Sequence, residues 1–149
     1  MHRLHRQYEK RGAALVLVIF AMAFIAVLAV AVLDVAATDL GILRNHQSGL
    51  RALYAAQGGV GHAIAELRNQ YDYTNIVEGT LTAPDGATCK YRAQIDNVKP
   101  LVTVTSTGLA GGFVRTVRAR VVVAGPPLGA PFPVRVEWWR EVAGVSLIP

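Results

Sequence analysis

The sequence predicts an α+β protein in which a long N-terminal α-helix, its first half fit for a membrane, packs on an antiparallel β-meander. Three observations predict it. Residues 13–33 hold no charge, no polar side chain, no Gly and no Pro. Helical spacing then continues without a proline to about Gln70, the next Pro being Pro84. After Tyr71-Asp72-Tyr73 the apolar period changes from helix to strand.

Residues 1–12 are a polar, basic leader. Arg3, Arg6, Lys10 and Arg11 stand against Glu9, so the leader carries most of the chain's net charge of +5. The positive-inside rule keeps such a leader cytoplasmic and sends the C-terminal part outward. The high pI is thus a topology signal more than a nucleic-acid footprint.

Residues 13–33 follow as an apolar helix. At ~1.5 Å per residue it spans ~31 Å, close to the ~30 Å hydrocarbon core. A lone helix satisfies its own backbone polar groups in lipid, which makes it the single-segment solution there. Hydrophobic residues at 52% against 17% charged also exceed what an ordinary soluble domain carries.

Residues 34–70 read as an amphipathic continuation of that helix. Leu50, Leu53, Tyr54, Val60, Ile64 and Leu67 recur at spacings of three, four and seven, the mark of one helix face. Gln57 falls on that stripe and is expected as a core amide bonded to backbone. Each helix glycine costs up to ~1 kcal/mol against Ala. The cluster Gly58, Gly59 and Gly61 is therefore expected where a neighbouring element comes close.

Residues 71–124 read as a β-sheet head with strands at Asn75–Leu81, Ala87–Ile95, Leu101–Thr107 and Phe113–Val123. Pro84-Asp85-Gly86 marks a turn, Asn97 to Pro100 a break, and Gly108 to Gly112 a hairpin loop. Short loops between consecutive strands imply antiparallel order. The amphipathic helix is the natural cover for one face. Residues 125–149 begin with a stiff Pro/Gly linker, Gly125 to Pro133, and end in an apolar stretch that reads as one more strand or a docking tail. If Val134–Val142 is a strand, Trp138 and Trp139 face opposite ways.

The chemistry-bearing residues are sparse. Ser48, Ser106 and Ser146 have no His–Asp arrangement around them, and no Gly-rich phosphate loop follows a strand. No enzyme, cofactor or metal is expected. His62 and Glu66 share a helix face but lack further ligands. Cys89 is the one cysteine, so an internal disulfide is impossible. Arg118 and Arg120 share a strand face, with Arg115 on the other. Two arginines on a sheet read as a solvated surface, so a nucleic-acid partner is not expected.

The junction Lys10-Arg11-Gly12-Ala13 differs from a secretory signal, whose apolar region is shorter and is cut on its far side. A Gly before the apolar helix permits a cut that keeps the anchor. Here the chain resembles a family. Residues 11–18, Arg-Gly-Ala-Ala-Leu-Val-Leu-Val, look like the start of PilX-like type IV minor pilins and of the related K-type minor pseudopilins of type II secretion. Residues 52–60, Ala-Leu-Tyr-Ala-Ala-Gln-Gly-Gly-Val, resemble the family's AxxAAEAGxE stretch. Thr105-Ser106-Thr107-Gly108 through Arg115-Thr116-Val117 is similar to its SxGxxGxxxRTV hairpin.

The resemblance implies a type IV pilin-like fold, cleavage after Gly12 by a prepilin peptidase, and N-methylation of Ala13. It implies a subunit that waits in the inner membrane, meets an assembly platform there, and joins other minor pilins and the major pilin. Major pilins carry Glu where this chain has Leu17, and the family's acidic residue in AAEAG is Gln57 here. The lost carboxylate suits a tip or priming role, with adhesion as a further part of it, better than a repeating shaft. With Gly58 and Gly61, these positions are the expected assembly residues. The alternatives are a pseudopilin of a secretion system and an unprocessed single-pass protein presenting a small β-domain.

Overall fold

The computed structural model describes the backbone of residues 2–125, 129–143, 147 and 148, and side chains from Ala14 onward. The chain divides into two compact units, residues 1–44 and 45–149. One helix, α1 (His2–Asn69), contributes to both.

The first unit is helix alone. It begins earlier than the sequence suggests, because the backbone is helical from His2 and not from Ala13. Residues 2–12 contain no proline, and Gly12 alone costs only ~1 kcal/mol of helix. From Ala14 on, every side chain of this unit is exposed, including Leu17 and Phe20. Among the described residues, this is the one helix long and apolar enough to cross a membrane.

The second unit is α+β, with the rest of α1 packed on a five-stranded antiparallel sheet. The strands are β1 (Val77–Thr82), β2 (Thr88–Val98), β3 (Leu101–Ala110), β4 (Phe113–Val123) and β5 (Val134–Val142). They lie in the order β1-β2-β3-β4-β5, a meander throughout. The open question of the last apolar stretch is thereby answered: Val134–Val142 is a strand on β4. Residues 126–128 of the linker and 144–146 of the tail lie outside the described residues.

Two expected breaks are shorter than the sequence suggests. β2 runs on through Asn97 to Val98, leaving Lys99 and Pro100 as the turn. β3 runs on through Gly108 to Ala110, so the hairpin loop is only Gly111-Gly112, both with positive φ. Glycine is the residue that enters that region without a Cβ penalty.

The core lies between α1 and the inner face of the sheet. Ala56, Val60, Ala63 and Leu67 meet Val77, Ala93, Ile95, Val102, Val104, Val117, Ala119, Val121 and Val123. A smaller cluster joins Ala52 and Ala55 to Cys89 and Ala110. Cys89 is a buried free thiol. The far end of α1 is tied down by polar contacts. Asn97 Nδ2 donates to the carbonyls of Tyr71 and Tyr73 at 3.2 and 3.0 Å, and Lys99 pairs with Asp72 at 3.1 Å. The linker returns to the same end, where Phe132 N–H donates to Arg68 O at 2.8 Å.

The expected stripe packs in part: Val60 and Leu67 are in the core and Leu53 and Ile64 lie against it, while Leu50 is exposed and Tyr54 is 63% exposed. Ala52, Ala55, Ala56, Gly59 and Ala63 complete the face turned to the sheet. Small residues win because the backbones approach closely. A Cβ built on Gly108 of β3 would sit 2.1 Å from Ala52 O and 2.5 Å from Ala56 N. On the helix side, a Cβ on Gly59 would meet Ser106 Oγ at 2.2 Å and the Tyr91 ring at 2.9 Å.

Ser106 is fully buried, and its hydroxyl has no hydrogen-bond partner. A desolvated, unpaired hydroxyl costs about 1–3 kcal/mol. Ser106→Ala is therefore expected to leave stability unchanged or raise it by up to about 1 kcal/mol. Urea denaturation of the detergent-solubilised chain, followed by tyrosine and tryptophan signals, reads this directly.

Candidate assembly surface

The expected processing residues, Lys10, Arg11, Gly12 and Ala13, lie within α1 as backbone, and their side chains lie outside the described residues. Leu17 is in the first unit and 71% exposed. Its side chain is apolar and uncharged.

Gln57, Gly58 and Gly61 belong to the second unit, and the structure separates them. Gln57 is half-buried, not in the core, so the expected core amide is corrected. The packed positions flank it, Ala56 one residue before and Gly59 two residues after. Gly58 lies at the margin, where an added Cβ would touch Leu81 Cδ1 at 3.0 Å. Gly61 points away from the sheet, with nothing within 4 Å of an added Cβ. The expectation of close packing thus holds within the chain for Gly59, marginally for Gly58, and not for Gly61.

The outward side of this helix segment carries Leu50, Tyr54, Gly61 and Ala65, all exposed. Spacings of four and seven put them on one side. Two large apolar groups beside two small ones form a shallow, mostly uncharged strip that another helix could fit. Recurrence of Ala and Gly at spacings of three and four, from Ala52 through Ala63, was a sequence signal for the inner face.

Polar contacts around this segment are structural. His62 Nδ1 meets Tyr91 Oη at 2.9 Å, and its Nε2 lies 3.6 Å from Glu66. Both ring nitrogens thus face partners within the chain. Among the described residues, no three His, Cys, Asp or Glu side chains are placed to hold a metal. Arg51 of α1 pairs with Asp85 of the β1–β2 turn. The Ala87 N–H, and then Arg51, hold the Asp85 carboxyl below its ordinary range.

Trp138 and Trp139 do face opposite ways. Trp138 is register partner of Arg120, and Trp139 of Ala119. Trp139 lies on the inner-face side of the edge strand and is 56% exposed. Arg115 pairs with Glu141 at 2.8 Å on that same side.

Comparison with family models, curated proteins and solved structures finds no match. The functional reading therefore rests on the chain's own residues.

Proposed function

We propose that this chain is a minor pilin, a subunit that primes, caps or stabilises a type IV pilus after processing by a prepilin peptidase. The observation that carries the reading is the exposed apolar helix of residues 14–33. Among the described residues, each of its side chains is exposed. Apolar area left in water costs roughly 25 cal/mol per Å², so the segment needs lipid or other helices around it. A pilin uses both in turn, first the inner membrane and then the filament core.

Two further features support the reading. The first is the order of parts: basic leader, Gly12, apolar helix, small-residue helix, antiparallel meander. The second is the uncharged outward strip of Leu50, Tyr54, Gly61 and Ala65, which offers a neighbouring helix a place to pack. Leu17 directs the assignment to a minor subunit at the tip, because it offers no carboxylate to the ammonium of the subunit beside it. The short connections of the meander leave no inserted domain of the kind K-type pseudopilins carry, which favours a pilus over a secretion machine.

The test is co-fractionation. Surface filaments sheared from cells should contain the chain at a small fraction of the major subunit. Cells lacking prepilin peptidase should retain all of it in the inner membrane. Retention in the membrane with the peptidase active and filaments present would contradict the proposal.

A further inference from the structure

The β1–β2 turn carries a reactive dipeptide that α1 helps to hold still. Asp85 is followed by glycine, and no other Asp or Asn of the chain is. A side chain on the following residue shields that residue's backbone nitrogen. Glycine has none, so its nitrogen is open to the carboxyl beside it. Asp85 and Gly86 are both exposed, which gives water access to the pair.

The structure ties the reacting groups down at three points. Gly86 N–H donates to Ala83 O at 2.9 Å, closing a turn with Pro84 and Asp85 at its centre. Asp85 Oδ1 accepts from Ala87 N–H at 3.2 Å. Asp85 Oδ2 accepts from Arg51 of α1. Attack needs the Gly86 nitrogen released and the carboxyl swung onto it. It also needs the neutral acid, whose hydroxyl leaves as water, because the carboxylate is a poor electrophile. Ala87 N–H, and then Arg51, hold the carboxyl below its ordinary range, so less of the acid form is present at mildly acidic pH. Two of the ties are bonds local to the turn, of the kind Asp and Pro turns supply for themselves. Arg51 is the tie from another element, 34 residues away.

We infer that Asp85-Gly86 is a site of spontaneous conversion to isoaspartate, and that Arg51 sets its rate. The Gly86 nitrogen attacks Asp85 Cγ. The N–Cγ bond forms, and the amide proton and the acid's hydroxyl leave as water. Water then opens the cyclic imide. Opening at Cγ restores Asp85. Opening at the Asp85 main-chain carbonyl leaves the chain running through Cβ and Cγ, with a free carboxylate on Cα. No atom is gained or lost overall. The turn is then one methylene longer and its carboxylate is displaced from Arg51, so the β1–β2 hairpin loses its ion pair to α1. The inference is independent of the pilin reading, since it uses only residues of the head.

The experiment incubates the full chain in nonionic detergent at mildly acidic pH. Isoaspartate at residue 85 is read by electron-transfer fragmentation of the digested peptide, since both forms have the same mass. Folded wild type should convert more slowly than chain unfolded in urea. Arg51→Gln should convert severalfold faster than wild type, with the urea midpoint used to confirm folding. Arg92→Gln, which breaks the Glu78 pair on the same hairpin, should match wild type. Salt screens an exposed ion pair, so raising it should speed wild type and leave Arg51→Gln unchanged. The salt effect on wild type needs no variant to fold. An Arg51→Gln rate equal to wild type would overturn the inference. So would an equal acceleration by Arg92→Gln, indifference of wild type to salt, or folded wild type converting as fast as unfolded chain.

Discussion

Gly108→Ala is expected to be the most destabilising single-methyl change in the head, costing about 3 kcal/mol or more. The new Cβ would fall 2.1 Å from Ala52 O and 2.5 Å from Ala56 N. Both obstacles are helix backbone, so no rotamer change relieves them. The helix must lift from the sheet, which opens the core on both sides of the contact. Gly61→Ala is the matched control on α1. Its Cβ meets nothing within 4 Å, and replacing a helical Gly by Ala gains up to about 1 kcal/mol. Urea midpoints of the two variants should therefore move in opposite directions. Gly61→Leu goes further: it should leave the midpoint near wild type yet lower the amount of chain in sheared filaments, because Gly61 sits on the outward strip. Normal incorporation of Gly61→Leu would remove that strip from the assembly account.

Gly12→Leu is expected to abolish maturation, an all-or-none effect. The backbone is helical across residues 10–13, and a peptidase must take that stretch in an extended form. Glycine makes this easy in two ways. It lowers local helix stability by about 1 kcal/mol relative to Ala, and without a Cβ it lets an active site approach its carbonyl. Leucine reverses both. The precursor should accumulate in the inner membrane with its leader attached, and surface filaments should lack the chain. Gly12→Ala should be cleaved more slowly than wild type and faster than Gly12→Leu. Immunoblots of membrane and filament fractions distinguish the three.

The architecture was legible because it is written in periodicity. The uncharged run at residues 13–33, the proline-free helix and the shift to period two gave the helix and the four meander strands. The details that escaped were decided by packing distance. Leu53, Val60, Ile64 and Leu67 of the apolar stripe pack as expected, but Leu50 and Tyr54 stay exposed, and the closest approach to the sheet is made by Ala52, Ala55, Ala56, Gly59 and Ala63, whose small size lets two backbones meet. Gly108 reads as a loop residue by composition, but it is a strand residue because the helix backbone lies against it. Gln57 reads as core but lies half-buried at the margin of the packed face. The fifth strand stayed open in the sequence because pairing beyond a Pro/Gly linker depends on partners far along the chain.

The central claim is that residues 13–33 become the start of a mature filament subunit. The direct measurement is the N-terminal sequence and intact mass of the protein extracted from membranes of cells with active prepilin peptidase. The account predicts a chain that begins at methylated Ala13, lighter than the full chain by residues 1–12 and heavier by one methyl group. A chain that still begins at Met1 would contradict it.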